Sequence, residues 1–574
     1  MVEYQVMLNS SAVAHQIARE LALVSVTEVV IAPGSRSAPL IYALAPLAEA
    51  GVIRTHVRID ERDAGFLALG LARGLRTRQA GPVGAVAVVT TSGSAVANLH
   101  PAVLEASYGR LPLIAITADR PARLRGTGAN QTIDDQSRVL SDVRGRVDVP
   151  AGSPDADRLL AEAAAQAVGE GKGEPGPVQF NVQFDVPLVP TAEELAEWKT
   201  EVQTLGKIMM TGTKPPVVPA DGPASADESA SGTSAAVRIL PGTVIVAGDA
   251  GGHAAESLRS LVEAKAIPVL AEPSSPLTSA LRDSGAIVAA HAEVLAGRDD
   301  LRRAIRTVIV HGKPTLTRPV AALLADPEVL VQRVPDDVDA VSLSVEGAED
   351  GAVWCREWVS AGDAIVAESR RSREASAQGQ KAQPQQSSAR AITEFLAGSA
   401  IELFAASSNT IRYLSEGTDV RARIHASRGL AGIDGLVSTA TGLSLALGEQ
   451  VVLVIGDVAM LHDAGGLLTP SAEEEGDVLI VVLNDDGGAI FSGLEHSQDH
   501  VAPYLKRYFT VPHGRDFEDL AAAYGWGYAL VSELDEFIAE FGNTQVGFDS
   551  AASGAGAGRS MRRLGRRIIE VDLT

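Results

Sequence analysis

The chain has 574 residues, 46% of them hydrophobic and 21% charged, close to ordinary globular usage, so wholesale disorder is excluded. Its 72 acidic against 49 basic side chains give a formal net charge of −23, a surface that repels nucleic-acid phosphates and anionic lipid and argues against both as partners. The single cysteine, Cys355, excludes an intrachain disulfide and any CxxC metal or redox motif. The first residues lack the basic start and continuous apolar run of a targeting segment. The longest uncharged stretch, residues 79–104, is interrupted by Gly, Pro, Asn and His and makes a poor lipid-facing helix. A cytoplasmic protein without membrane insertion is expected.

Short β-branched runs alternate with Ala- and Leu-rich helical patterns, as in βαβ units around buried parallel strands. In the first block, strands are expected at 28–32, 85–90, 113–117 and 178–182. A helix is expected over 60–75, with an acidic first turn that suits the helix dipole. Residues 211–236, rich in Pro, Ala, Ser and Gly, have linker composition. The second block has candidate strands at 243–247, 267–270, 306–310 and 340–344, and a polar stretch at 371–389 follows it. The third has candidate strands at 401–405, 451–455, 478–483 and 567–572, with a flexible insertion expected at 549–560. The expectation is an α/β protein of three doubly wound parallel-sheet domains, at 1–190, 237–370 and 391–574, joined by linkers at 191–236 and 371–390.

The third block carries the strongest chemical signal. One apolar run (VVLVI) ends in Gly456-Asp457, and another (VLIVVL) ends in Asn484-Asp485-Asp486-Gly487-Gly488. Asp457 and Asp485 are separated by one strand–helix–strand unit, which in a parallel sheet puts both at the carboxyl edge, where α/β proteins bind ligands. Two carboxylates and a nearby carbonyl form a partial shell for a hard octahedral cation such as Mg²⁺, completed by phosphate oxygens and water. Gly456, Gly487 and Gly488 let the backbone approach a diphosphate closely. Either half alone is ordinary turn chemistry; the spaced pair is the signal.

This arrangement resembles the thiamine diphosphate signature, a GD dipeptide followed by an Asn/Asp-rich turn. The resemblance implies that Asp457 and Asp485 supply side-chain ligands and Gly487 a carbonyl to Mg²⁺, or to Mn²⁺ in its place. Val458 and Asp485 stand where many members have Gly and Asn. Glu61, in Ile59-Asp60-Glu61-Arg62, matches the glutamate that hydrogen-bonds N1′ of the cofactor's aminopyrimidine, so that N4′ can take the thiazolium C2 proton. The alternative is that Glu61 merely favours a helix N-terminus.

Further motifs occur in order: PGSRSAP at 33–39, TSGSAVAN at 91–98, TADRP at 117–121, Asn130-Gln131, SRG…GIDG at 427–435 and GGAIF at 487–491. Together they resemble the 2-succinyl-5-enolpyruvyl-6-hydroxy-3-cyclohexene-1-carboxylate synthase family of menaquinone biosynthesis. The resemblance implies a thiamine diphosphate-binding fold, with pyrimidine-binding and diphosphate-binding domains flanking a central α/β domain. It implies decarboxylation of 2-oxoglutarate and addition of the succinyl-semialdehyde carbanion equivalent to isochorismate.

Catalytic roles are implied for Glu61, Asn130 and Gln131, and cofactor contacts for Pro33, Gly432, Ile433, Gly488 and Ile490. Substrate contacts are implied for Ser35, Arg36, Arg120, Arg318, Ser408, Arg412, Arg428, Ile490 and Phe491. Both substrates are dianions, so an acidic chain must gather arginine forks where they bind. In the family the halves bearing Glu61 and Asp457 meet across a subunit interface, which implies a homodimer or homotetramer. The turn at 246–253 lacks GxGxxG spacing, so no FAD is expected. His496 and His500, four residues apart, lack a third metal ligand. The alternative is another thiamine diphosphate-dependent 2-oxo-acid decarboxylase or an acetohydroxyacid-synthase-like enzyme, distinguished by activity with pyruvate and no need for isochorismate. A noncatalytic binding protein of the same fold would have little need of Glu61 together with both aspartates.

Overall fold

A computed structural model of the chain describes residues 7–78, 84–171, 173–210, 234–347, 351–378, 384–415, 419–493, 496, 498–549 and 566–574. It divides into two compact units, Met1–Gly232 with Leu468–Glu475, and Thr233–Leu467 with Gly476–Thr574. Among the described residues no helix is long and apolar enough to cross a membrane.

The first unit is built on a parallel sheet of β1 (Glu28–Ile31), β2 (Arg54–Val57), β3 (Val86–Thr90), β4 (Leu113–Asp119), β5 (Gly145–Val149) and β6 (Pro177–Gln183), in the order β2-β1-β3-β4-β6-β5. The four inner strands are buried along their whole length, as strands covered on both faces must be. Helix Glu61–Arg78 starts with Glu61 and Asp63 and ends with Arg76 and Arg78, matching the macrodipole at both ends.

The second unit contains β7 (Ser234–Arg238), β8 (Thr243–Ala247), β9 (Val269–Ala271), β10 (Thr307–His311), β11 (Leu330–Arg333) and β12 (Ser342–Glu346). Strands β12 and β7 pair with each other, and a four-stranded sheet runs β11-β10-β8-β9. Then come β13 (Glu402–Ala405), β14 (Arg423–His425), β15 (Val451–Gly456), β16 (Val478–Asn484), β17 (Gly527–Val531) and β18 (Arg567–Asp572), in the order β14-β13-β15-β16-β18-β17. All the pairings are parallel, so the α/β class and its doubly wound sheets are as the sequence implies.

Counted from their own first strand, the two six-stranded sheets share one order, 2-1-3-4-6-5. The winding reverses between the first and third strands, which puts a ligand crevice at the carboxyl ends of β1 and β3 and again of β13 and β15. The likeness extends to side chains at the opposite edge. Glu28 on β1 faces Arg54 on β2 and holds His56 Nε2 at 2.8 Å. Glu402 on β13 faces Arg423 on β14 and holds His425 Nε2 at 2.8 Å. Each glutamate thus staples an edge strand in register through an arginine and a nearly buried histidine.

Several expectations need correction. The stretch assigned to a linker from 191 is helical over Ala192–Met210; Trp198 is buried in the first unit's core and stacks on His15 at 4.8 Å. Residues 234–236 belong to β7, while 211–233 lie outside the described residues. The second linker, 371–390, is helical at both ends, in Ala352–Gln378 and Pro384–Ala397. Its Arg, Glu and Gln residues are polar, but with its Ala residues they are also good helix formers. The insertion expected at 549–560 begins at the end of helix Leu534–Asp549, and its remainder lies outside the described residues.

Candidate active site

In the second unit, β15 ends at Gly456 and Asp457 opens a short helix, Asp457–His462. The Asp457 residue is 2% exposed. Its Oδ1 accepts the Val458 N–H (2.7 Å), and its Oδ2 accepts the Gly487 N–H (2.7 Å) and lies 2.9 Å from His513 Nε2. Burial raises its pKa, and these three partners pull it back. The turn after β16 is held by two other side chains. Asn484 donates to Glu570 Oε1 (2.6 Å) and the Arg515 carbonyl (3.0 Å). Asp486, at φ 55°, accepts the N–H groups of His513 (3.0 Å) and Gly514 (2.6 Å). Between them, Asp485 is pushed to about 7, first by burial and then by the charge of Asp457. Two carboxylates thus share one poorly solvated space.

That space suits a cation bound together with a phosphate. Gly487 has φ +137°, and a Cβ there would come within 2.2 Å of the Thr510 carbonyl, so the turn admits only glycine. Gly456 is different: a Cβ would meet no protein atom within 4 Å. The backbone at 456 therefore borders open space. Among the described residues, no His/Cys/Asp/Glu group of three or more is arranged for a metal. A cation on Asp457, Asp485 and the Gly487 carbonyl would need ligand oxygens to complete its shell.

Gly432 and Ile433 immediately precede helix Leu436–Leu447, which Gly435 opens in the left-handed conformation. Asp463 Oδ2 accepts the N–H groups of Val437 (2.8 Å) and Ser438 (3.3 Å) there. Ile433 packs partly buried against the core below. Ile490 and Phe491 form part of the turn Ala489–Gly493, half-buried, with the Phe491 ring 5.5 Å from Phe509.

Arg412 and Arg428 follow β13 and β14, in the same sheet as β15 and β16. Ser408, at φ 80° and ψ −135°, adopts a backbone conformation nearly reserved for glycine, a strain of about 1–3 kcal/mol. It opens helix Asn409–Leu414, and its carbonyl accepts Arg412 Nη1 at 2.6 Å. Arg428 is buried and donates to Thr315 Oγ1 at 2.9 Å. Burial, and then the charge of Arg428, lowers the Arg412 pKa, so the two cations are close enough to repel. Arg318 is exposed and opens helix Arg318–Leu324, three residues after Thr315.

In the first unit, the turns after β1, β3 and β4 converge. A Cβ on Gly34 would strike the Thr91 side chain at 2.4 Å, and one on Gly93 would meet Gln131 Cγ at 2.7 Å. Arg120 Nη1 donates to Ser92 Oγ and the Gln131 carbonyl, both at 2.5 Å, and Gln131 Nε2 donates to the Ser92 carbonyl at 2.8 Å. Arg36 Nη1 donates to the Phe184 carbonyl at 2.9 Å. Its pKa is lowered by burial first and by Arg120 second, with Asp185 and Asp119 opposing. Arginine stays charged throughout, so the pair marks a local reversal of the chain's negative field. Pro33, Ser35 and Asn130 are exposed on the same turns. Glu61 opens helix Glu61–Arg78, and its Oε2 accepts Asn98 Nδ2 at 3.1 Å. The TSGSAVAN segment thus serves both groups: Ser92 holds Arg120, and Asn98 holds Glu61.

Pro33, Ser35, Arg36, Glu61, Arg120, Asn130 and Gln131 lie in the first unit, and every other expected site residue lies in the second. His513 and Thr315, which hold Asp457 and Arg428, were not singled out from sequence; neither stands in a motif with a spacing that announces chemistry. Ser92 and Asn98 stood inside a quoted motif without a role.

Residues 11–139 match the thiamine pyrophosphate enzyme N-terminal TPP binding domain, and residues 411–545 match the corresponding C-terminal TPP binding domain. Proteins named 2-succinyl-5-enolpyruvyl-6-hydroxy-3-cyclohexene-1-carboxylate synthase are similar over nearly the full length. The one from Kineococcus radiotolerans is 38% identical, with 92% of this chain and 93% of that protein covered. The one from Paenarthrobacter aurescens is 39% identical, covering 90% and 88%. The benzoylformate decarboxylase of Polynucleobacter necessarius superposes with a TM-score of 0.59 at 15% identity, over 98% of each chain, a likeness of fold.

Proposed function

The chain belongs to the 2-succinyl-5-enolpyruvyl-6-hydroxy-3-cyclohexene-1-carboxylate synthase family of thiamine diphosphate-dependent enzymes, and from that membership we propose how its residues carry the reaction. The reaction is decarboxylation of 2-oxoglutarate and addition of the succinyl-semialdehyde carbanion equivalent to isochorismate, in menaquinone biosynthesis. Thiamine diphosphate, when bound, supplies the electron sink for the carboxylate's departure.

Asp457, Asp485 and the Gly487 carbonyl would hold Mg²⁺, or Mn²⁺, against the diphosphate, with Gly456 and Gly488 giving backbone access. The observation that carries this reading is the pairing of buried Asp457 with half-buried Asp485, whose mutual repulsion a divalent cation relieves. Glu61 would hold the aminopyrimidine N1′ by a hydrogen bond, oriented by Asn98. Ile433 would support the cofactor from below, with Pro33, Gly432 and Ile490 against it. Arg36, Arg120, Arg318, Arg412 and Arg428 would bind the carboxylates of the two dianions, with Ser35, Ser408, Asn130 and Gln131 adding hydrogen bonds. Phe491 and Ile490 would keep water from the reacting carbon.

The residues fall in two groups, and each group has large apolar side chains facing solvent: Ile59 (67% exposed), and Leu430 (52%) and Val458 (36%). Such side chains beside catalytic groups suit coverage by a second copy. We therefore propose a homodimer, or a homotetramer that is a dimer of dimers, with each site built from Glu61 of one subunit and Asp457 of another, working in the cytoplasm. At the switch point of the four-stranded sheet, between β8 and β10, the turns bond to each other: Gly248 N–H to the His311 carbonyl (2.9 Å) and Lys313 N–H to the Asp249 carbonyl (2.8 Å). With that crevice closed on itself, we propose that the enzyme works without FAD.

The test is to incubate purified protein with thiamine diphosphate, Mg²⁺, 2-oxoglutarate and isochorismate and to identify the product by mass. The adduct of the two substrates less CO₂ is expected. Turnover of pyruvate with no requirement for isochorismate would favour the other 2-oxo-acid decarboxylases instead.

A further inference from the structure

Arg428 is held from the four-stranded domain. The turn after β10 reaches it twice, through Thr315 Oγ1, which accepts Arg428 Nη2 at 2.9 Å, and through Lys313 Nζ, which donates to the Gly429 carbonyl. That turn is itself fixed by Glu272, at the carboxyl end of β9, whose Oε1 accepts the Leu316 N–H at 2.5 Å. Glu272 is 2% exposed, and its second oxygen, Oε2, has no hydrogen-bond partner within the protein. The same is true of Arg428 Nε. The positive charge of Arg428 acts on Glu272, which burial pushes to about 7, yet the two are not joined as an ion pair. A buried carboxyl and a buried guanidinium thus lie within electrostatic reach of each other, each with one polar atom unspent, which costs free energy unless another group uses them.

We infer that Glu272 and Thr315 are positioning residues for Arg428, through which the four-stranded domain sets the enzyme's affinity for its dianionic substrate. Thr315 fixes one nitrogen of the guanidinium. The Glu272 carboxyl fixes the Leu316 backbone beside Thr315 and attracts the cation, so the guanidinium stays in place whether or not a substrate carboxylate is bound. Neither residue touches the reacting atoms. The inference rests on the proposed substrate role of Arg428.

The test compares the full-length enzyme with Thr315→Val, Thr315→Ser, Glu272→Gln, Arg428→Ala and the double variant Thr315→Val/Arg428→Ala, measuring KM for 2-oxoglutarate and for isochorismate, kcat, and half-saturation by thiamine diphosphate. Thr315 is exposed, so its replacement leaves the fold intact even if Glu272→Gln does not fold. Thr315→Val and Glu272→Gln are expected to raise KM about tenfold, as loss of one charge-assisted contact does, with cofactor half-saturation and kcat within about twofold. Thr315→Ser should match the wild type, and the double variant should be no worse than Arg428→Ala. Unchanged KM in Thr315→Val while Arg428→Ala raises it, or additive losses in the double variant, would overturn the inference alone. Unchanged KM for both substrates in Arg428→Ala would overturn the substrate role of Arg428 and the inference with it.

Discussion

Replacing Asp485 by Asn tests the electrostatics of the metal cradle on the protein free of metal and cofactor. Burial and the Asp457 charge push the Asp485 carboxyl to about 7, against 3.8 for an ordinary aspartate. A carboxyl raised in the folded state contributes its full stability below the unfolded pKa and loses it as pH rises through the folded value. The metal-free protein should therefore weaken from about pH 4 to above pH 7, by about 4 kcal/mol from this group at most. Asparagine keeps the shape and removes the charge, so Asp485→Asn should flatten the profile and be the more stable protein at pH 8. Urea-unfolding midpoints from pH 5 to 8 measure this. Mg²⁺ with thiamine diphosphate should stabilise both proteins at pH 8, and the wild type more than the variant, since the cation favours the ionised pair. Parallel pH profiles for the two proteins would refute the shared-space reading of Asp457 and Asp485.

Glu61→Gln keeps a hydrogen-bonding amide beside Asn98 but weakens the grip on N1′. Folding and cofactor binding should persist, with kcat down by about 10²–10⁴-fold, and undiminished turnover would remove the activating role. Gly456→Val adds a side chain where no protein atom lies within 4 Å of a Cβ. Unfolding should shift by less than about 0.5 kcal/mol, while thiamine diphosphate half-saturation rises at least tenfold by about 1.4 kcal/mol of lost binding; unaltered cofactor binding would place the diphosphate elsewhere. Glu402→Gln and Glu28→Gln each weaken a staple on an edge strand and should destabilise by about 1–3 kcal/mol in thermal unfolding, without changing the KM for either substrate.

The legible part of the fold was its interior. Strands β1, β3, β4, β15 and β16, each with two neighbours, carry the continuous apolar runs that buried parallel strands require. The edges β2, β5, β14 and β17 escaped because an edge strand is short and mixed in character. RTHV and RIH owe their place to Glu28 and Glu402 on the neighbouring strand, a pairing that a linear reading does not expose. The helices at 192–210 and 352–378 were hidden by polar composition, although Trp198 in the first proved to be a core residue. At the site, Asp457, Asp485 and Glu61 were legible because strand ends and motif spacing fix where they stand. His513, Thr315 and Glu272 were not, because each acts by holding another residue across 43 residues or more of sequence.

We propose that one subunit lends Glu61 and another lends the Asp457–Asp485 cradle to the same cofactor. Co-expression of Glu61→Gln and Asp457→Asn chains, with differently tagged copies purified as the mixed dimer, tests it directly. Each parent variant should be nearly inactive. In the mixed dimer one site carries both defects and the other carries neither, so about half of wild-type activity per dimer should return. A mixed dimer as inactive as its parents would contradict the shared site and place Glu61 and Asp457 of a single chain together.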